Sequence, residues 1–281
     1  MADEPPIGLI AGGGLLPSLT AQGIHAAGRK VACVGFSGFY EPELPEECDY
    51  FASVGIVRLN AWVRRFRRWG VREAILIGKV EKKIQYDPFR LFRFLPDTFY
   101  IRKWFTVFRY DSRTVTMLTE VANELSSKGI ELQDTTKYIP QCMADEGVMT
   151  RRQPNAIQQK EIELGLPIVR RLNDLDVGQA IAVREGDVVA VEAIEGTDRM
   201  IARAGELCHG GGWTLIKIPN RDHDMRLDVP TVGPDTIENL HKAGGGCLAV
   251  AAGRVILADK PQMLELADRY KIAVVGVRID P

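Results

Sequence analysis

Apolar and polar positions follow two rhythms along this chain. In the first half, short uninterrupted apolar runs alternate with stretches that place an apolar residue every three or four positions. The first pattern predicts buried strands and the second amphipathic helices. Residues 7–11 read as a strand that enters Gly12-Gly13-Gly14, and a helix follows over about 16–27, stopped by Gly28. Residues 31–36 are a second strand. Leu59, Trp62, Val63, Phe66 and Trp69 fall at helical spacing before Gly70, and 74–77 is another strand. A helix over 114–128 closes on Gly129 and leads into a strand at 130–132. Repeated β-α-β order implies a doubly wound parallel sheet, Rossmann-like in class.

The second half reads differently. Residues 181–184 and 188–192 flank Glu185-Gly186-Asp187, a hairpin signal. A helix over about 197–206, a strand at 214–218, a helix at 235–243, strands at 248–251 and 255–257, a helix from Pro261 to about Tyr270 and a strand at 272–277 complete the pattern. Hairpin and crossover signals together predict a mixed α/β domain. Residues 137–155 carry two prolines and little periodicity. The expected layout is therefore a nucleotide-binding domain over 1–136, a linker over 137–155 and a mixed α/β catalytic domain over 156–281.

One stretch departs from ordinary patterning. In Arg221-Asp-His-Asp-Met-Arg-Leu-Asp-Val-Pro230, a period of two puts Asp222, Asp224, Arg226 and Asp228 on one face and Met225, Leu227 and Val229 on the other. As a strand it would bury an apolar row and present three carboxylates with a guanidinium. Clustered carboxylates raise one another's pKa or hold a hard cation such as Mg²⁺, and an arginine among them neutralises them or grips a phosphate. A solvated edge strand with self-compensating charges is the plainer alternative.

Composition narrows the class. Hydrophobic residues make up 46% and charged residues 26% of 281, the balance of a soluble globular protein. A net charge of −1 gives no global pointer to nucleic acid. The start, Met-Ala-Asp-Glu-Pro-Pro, lacks the basic region of a signal peptide. Five scattered cysteines without CxxC spacing predict reduced thiols and a cytoplasmic location.

The glycine triplet between a strand and a helix is a candidate phosphate cradle, built from backbone N–H groups and a helix N-terminus. A tight turn that needs glycine is its structural alternative. The dinucleotide pattern is broken by Pro17, and no acid ends the second strand, where Ser37-Gly38 stands. A nicotinamide cofactor is thus disfavoured against a nucleotide or sugar-nucleotide. Lys79 follows a strand at the edge where such sheets bind ligands, and reads either as a phosphate contact or as a surface lysine. Glu192, Glu195, Thr197 and Asp198 surround a glycine turn, as metal or substrate contacts or as a helix cap. Residues 86–110 hold ten of the chain's 21 aromatics (four Trp, seven Tyr, ten Phe), interleaved with Arg90, Arg93, Arg102, Lys103 and Arg109. That mixture suits nucleic acid, a lipid interface or an oligomer contact. Arg64, Arg65, Arg67 and Arg68 read as the solvated side of their helix.

These motifs together resemble a known family. Ile7-Gly-Leu-Ile-Ala-Gly-Gly-Gly14 with Pro17, Gly78-Lys79-Val80, Asp176-Val-Gly-Gln179, residues 190–198 and Asp224-Met-Arg-Leu-Asp-Val-Pro-Thr-Val-Gly-Pro234 are similar to the LpxI-type UDP-2,3-diacylglucosamine pyrophosphatases of lipid A biosynthesis. The resemblance spans nearly the whole chain. It implies two domains with substrate held between them, and Mg²⁺-dependent hydrolysis of UDP-2,3-diacylglucosamine to UMP and 2,3-diacylglucosamine 1-phosphate. It makes Asp224 the key catalytic acid. With the residues' own chemistry, it gives a catalytic set of Asp224, Arg226 and Asp228. Gly12, Gly13, Gly14, Lys79, Gln179, Glu195 and Thr197 form the substrate-binding set, and Asp224, Asp228 and Asp198 the metal set. His223 stands where the family has glutamine, Tyr110-Asp111-Ser112 where it has Gly-Asp-Asp, and Glu81-Lys82-Lys83-Ile84 where it has a basic-proline element. Further expectations are no nucleic-acid partner, peripheral contact with the cytoplasmic face of the inner membrane, and a homodimer. Two rival classes are a non-catalytic sugar-nucleotide or lipid-binding protein and an NAD(P)-binding oxidoreductase.

Overall fold

The first apolar run, Ile7–Ala11, forms β1, and all five of its residues are buried, as a central parallel strand requires. This computed structural model describes residues 4–80, 96–111, 113–220, 224–227 and 229–279. The chain divides into two units. Met1–Ile139 with Asp224–Asp228 form one, and Pro140–His223 with Val229–Pro281 form the other.

In the first unit β1 leads through α1 (Leu16–Ala26) to β2 (Val31–Phe36) and β3 (Tyr50–Val54). Then come α2 (Leu59–Trp69), β4 (Glu73–Ile77), α3 (Thr98–Lys103) with a π-helical turn over Trp104–Phe108, α4 (Thr114–Ser127) and β5 (Glu131–Leu132). All pairings are parallel, in the order β3-β2-β1-β4-β5. The order reverses at β1, which is the doubly wound arrangement the strand–helix alternation predicts, with its switch point between β1 and β4. Ile10, Ala32, Val34 and Phe36 share a core with Trp62, Val63 and Phe66 of α2 and with Val121 and Leu125 of α4. Leu227, from the acidic segment, belongs to the same core. Helix α2 shows how spacing makes a face: Leu59, Trp62, Val63 and Phe66 are buried while Arg64, Arg65, Arg67 and Arg68 are exposed.

The second unit contains β6 (Gly147–Val148), α5 (Ala156–Asp174), β7 (Ala180–Arg184), β8 (Asp187–Val191) and α6 (Thr197–Leu207). It continues with β9 (Thr214–Lys217), β10 (Thr231–Val232), α7 (Pro234–Lys242), β11 (Cys247–Ala251), β12 (Ile256–Leu257), α8 (Lys260–Arg269) and β13 (Ala273–Val277). Six strands make a mixed sheet in the order β6-β13-β11-β9-β7-β8, parallel across β9, β11 and β13 and antiparallel at both ends. The β7–β8 hairpin falls where Glu185-Gly186-Asp187 predicts it. Strands β10 and β12 pair in parallel as a separate ribbon.

Two expectations change, and helix α5 goes beyond what the pattern predicts. The stretch 137–155, expected as a linker, carries a 3₁₀ turn at Pro140–Cys142 and β6, whose Val148 and Gly147 pair with Val275 and Gly276. A two-residue strand has too few positions to show a period. The 19-residue helix α5 was not signalled by periodicity. Its buried positions mix Gln158, Glu161 and Asn173 with Ile162, Gly165 and Val169, and Pro167 lies inside it. A capping box, Asn155 with Gln158, starts it. Finally, the segment expected as an acidic strand in a 156–281 domain is a turn over its described residues 224–227, and it groups with the first unit.

Candidate active site

The glycine triplet leaves β1 at the switch point, beside the end of β4. Backbone pairing fixes it there. Gly12 N–H donates to Ile77 C=O (2.9 Å), while Gly13 and Lys79 exchange both backbone bonds (2.9 and 2.8 Å). The approach is close enough to exclude side chains. A Cβ on Gly12 would stand 2.7 Å from the Lys79 carbonyl oxygen, and one on Gly13 would stand 2.6 Å from that of Phe39. The N–H groups of Gly12 and Gly13 are therefore spent on the fold. Gly14, at φ 90°, donates its N–H to a Glu41 carboxylate oxygen (2.9 Å). An anion already sits on the free part of the turn, at the start of α1, which has no side-chain cap. The Lys79 side chain is exposed at the same edge.

The acidic turn lies along that edge too. Thr135, buried just beyond β5, receives it: its N–H donates to Met225 C=O (2.9 Å), and its hydroxyl reaches the carbonyls of Leu76 (3.2 Å) and Leu227 (3.4 Å). Leu76 is near the end of β4, so the carboxyl ends of β4 and β5 carry the turn. Within it, Leu227 N–H donates to Asp224 C=O (3.0 Å). The Arg226 side chain forks onto Asp224, Nε to Oδ1 at 2.9 Å and Nη2 to Oδ2 at 2.7 Å, and Arg226 N–H also donates to Oδ1 (3.0 Å). These local bonds replace a strand ladder. The paired carboxylate raises the Arg226 pKa further, with Glu131 adding to it, so the guanidinium stays charged. The Asp224 side chain remains 35% exposed, so its carboxylate can still be reached from solvent. Asp222, His223 and Asp228 lie outside the described residues.

In the second unit Thr197, Glu195 and Asp198 fall into three separate hydrogen-bond systems. Thr197, first residue of α6, donates its hydroxyl to Glu192 Oε1 (2.8 Å) and accepts from Lys217 Nζ (2.9 Å). Glu192 and Lys217 are both buried, and Glu192 Oε2 has no hydrogen-bond partner. Glu195 instead bonds the Ala193 N–H (3.2 Å) and Arg203 (2.5 Å); its own backbone N–H and Arg203 hold its carboxyl below the usual range. Asp198 accepts from Asn239 (3.1 Å). Gln179 is half-buried ahead of β7, its carbonyl bonded to Ile218 N–H (3.0 Å). Thr197 is thus not the helix cap, a position taken by Gly196, and Glu195 is not in the Thr197 system. Among the described residues no three His, Cys, Asp or Glu side chains converge as metal ligands.

Two family models match the sequence in succession: the LpxI N-terminal domain over residues 6–142 and the LpxI C-terminal domain over 145–275. The chain belongs to the LpxI family. A curated relative, the UDP-2,3-diacylglucosamine pyrophosphatase LpxI of Caulobacter vibrioides, is 29% identical, the match covering 96% of this chain and 97% of that protein.

Against the LpxI pattern, the Tyr110-Asp111-Ser112 departure has a local explanation in its described part. Arg113 and the Thr116 hydroxyl both bond Asp111 (2.8 and 2.7 Å) and hold its carboxyl far below the usual range. That acid is engaged at the start of α4. Sequence reasoning missed Glu41, Thr135 and Lys217. Nothing local marks Glu41 or Thr135, whose partners are distant in sequence. Lys217 did leave a signal, a lone charged residue between Leu215-Ile216 and Ile218.

Proposed function

We propose that this LpxI chain hydrolyses the diphosphate of UDP-2,3-diacylglucosamine to UMP and 2,3-diacylglucosamine 1-phosphate, a step of lipid A synthesis, and depends on Mg²⁺. One observation carries the reading: the glycine turn, Lys79 and the Asp224–Arg226 pair all lie at the carboxyl edge of one parallel sheet, around its switch point. Open α/β sheets bind ligands at that edge. The activity named for the Caulobacter vibrioides relative supplies the substrate.

In this reading a phosphate replaces the Glu41 carboxylate at Gly14 N–H and the α1 N-terminus, where the helix field favours a negative group. Lys79 and the outer face of Arg226 neutralise charge on the diphosphate. Arg226 fixes the direction of the Asp224 carboxylate through two parallel bonds. A carboxylate so held is a hard oxygen donor, and Mg²⁺ takes one or two of these while keeping most of its waters. Asp224 therefore fits as a ligand, with Asp228 of the same segment beside it in the sequence. When bound, Mg²⁺ supplies Lewis acidity and lowers the pKa of water.

The test is an assay of UMP release from the acylated sugar nucleotide, with Mg²⁺ and with EDTA, and mass analysis of the products. Asp224→Ala should lower kcat by at least roughly 10²-fold, the scale of losing a group that acts on the transition state. Near-normal turnover in that variant would remove Asp224 from the mechanism. Turnover unaffected by EDTA would remove the metal.

A further inference from the structure

The chain between β2 and β3 runs alongside α1 and meets it through acids taken in order. Glu41 accepts from the Gly14 N–H just ahead of the helix (2.9 Å), and Glu47 accepts from the Gln22 amide (3.3 Å). Asp49 meets the His25 ring in the last turn (2.9 Å). The far end is held firmly. Leu44 is buried, Cys48 Sγ donates to its carbonyl (3.2 Å), and Asp49 also takes the Val31 N–H (2.8 Å). At the near end the backbone is fixed as well. The Tyr40 ring packs edge-to-face with Phe51 of β3, centroids 5.0 Å apart, and Leu44 N–H donates to Glu41 C=O (3.1 Å). The Glu41 side chain, by contrast, is exposed.

That exposed carboxylate occupies the N–H of the glycine triplet that the sheet does not use. Gly12 and Gly13 donate theirs to the carbonyls of Ile77 and Lys79. Helix α1 starts just beyond Gly14 without a side-chain cap, so its field favours a negative group here. A carboxylate and a phosphate are both anionic oxygen acceptors, and either satisfies this donor. Glu41 bonds a neutral backbone group from an exposed position, where water and a stronger anion compete for the same N–H. Rotation of its side chain releases that N–H with no change of backbone. A diphosphate brings more charge and more oxygens, and Lys79 stands at the same edge to meet it. Until Glu41 is displaced the turn is filled, and the apparent affinity of a ligand falls by the fraction of molecules in which the N–H is open.

We propose that Glu41 is a built-in competitor: its carboxylate holds the phosphate position at Gly14 and sets how tightly a nucleoside diphosphate group is bound. The inference deepens the hydrolase reading and rests on it for the ligand. The full chain is titrated with UDP by calorimetry, as parent, Glu41→Ala, Glu41→Gln and Glu43→Ala. Glu43 is exposed on the same loop, so its loss changes the net charge equally while leaving the Gly14 contact in place. Either change at Glu41 should tighten UDP binding by roughly two- to fivefold, the scale of one anion at an exposed helix start. Glu43→Ala should keep the parent affinity. In turnover of the acylated sugar nucleotide, KM should fall in the Glu41 variants by the same factor with kcat unchanged, because the competitor opposes ground and transition states alike. In NMR of glycine-labelled protein, the Gly14 amide signal should move when UDP is added to the parent, and should already differ in unliganded Glu41→Ala. Both Glu41 variants should melt like the parent, and Glu41→Gln removes only the charge, so it reads the competitor even where Glu41→Ala loosens the loop. Parent or weaker UDP affinity in both Glu41 variants, equal tightening in Glu43→Ala, or a Gly14 amide that ignores bound UDP would each overturn the competitor, while UMP release from the acylated substrate by the parent would leave the hydrolase reading standing. Failure of every protein to bind UDP would overturn the competitor together with the glycine turn as the nucleotide site.

Discussion

At the scale of single residues, the glycine triplet shows how one sequence feature serves two ends. Glycine at positions 12 and 13 reads equally as a phosphate cradle or a tight turn. Their geometry favours the turn, since both N–H groups bond backbone carbonyls and both Cα atoms face carbonyl oxygens under 3 Å from a built Cβ. Only Gly14 keeps an N–H turned to a side-chain anion, the Glu41 carboxylate. Gly13→Val is therefore expected to unfold more easily in urea, by about 1–3 kcal/mol, the usual range for overpacking. A variant of parent stability with weakened UDP affinity would instead return Gly13 to the ligand. The spacing of residues made Asp224 and Arg226 visible as a pair but misjudged how they pair. Alternation suggested a strand, while the fork from Arg226 to Asp224 and the Asp224 bond to its own turn are stronger local choices.

At the scale of elements, legibility follows burial. Strands β1 and β2 are apolar at nearly every position because they are covered on both faces, and their bounds could be read directly. Helix α2 was equally plain. Strand β3 is only partly buried, and α5 hides polar side chains in its buried face, so neither shows a clean period. Satisfied buried polar groups explain α5: Glu161 accepts from Glu185 N–H (2.8 Å) and from the Thr214 hydroxyl. Asp49 joins elements in the same way. Its Oδ2 bonds His25 in the last turn of α1 (2.9 Å) and the N–H of Val31 at the head of β2 (2.8 Å). Burial alone would push the Asp49 carboxyl up; the bonds from His25 and Val31 outweigh it and hold the pKa below the usual value. A depressed carboxylate stabilises the fold above its unfolded pKa of about 4, and that stabilisation fades as pH falls through the lower folded value. Asp49→Asn should accordingly melt below the parent near neutral pH, with the gap closing as the pH falls below about 4. Thermal unfolding of both across that range checks it, and a gap constant with pH would deny Asp49 this role.

At the scale of the whole molecule, the boundary between units does not follow the order of the chain. Residues 224–228 are enclosed in sequence by the second unit, yet they group with the first. A reading along the sequence could not assign them, because the tie is made by Thr135 and Leu227, which are 92 positions apart. The first unit therefore depends on a piece it does not carry in its own continuous span. Leu227 is buried in its core, and Thr135 bonds the Met225 and Leu227 carbonyls. A fragment of residues 1–139 lacks both contributions. Losing a buried leucine leaves an apolar hollow worth about 2–5 kcal/mol, and unpairing the Thr135 N–H from the Met225 carbonyl adds to it. Such a fragment should bind a hydrophobic dye and melt early. Joining residues 224–228 to its end through a flexible glycine-serine linker should raise the melting temperature, and a linked segment with Leu227→Ala should not. Equal melting of all three fragments would mean that the first unit is complete without the acidic turn, and that Asp224 is held at its sheet edge by something other than this core.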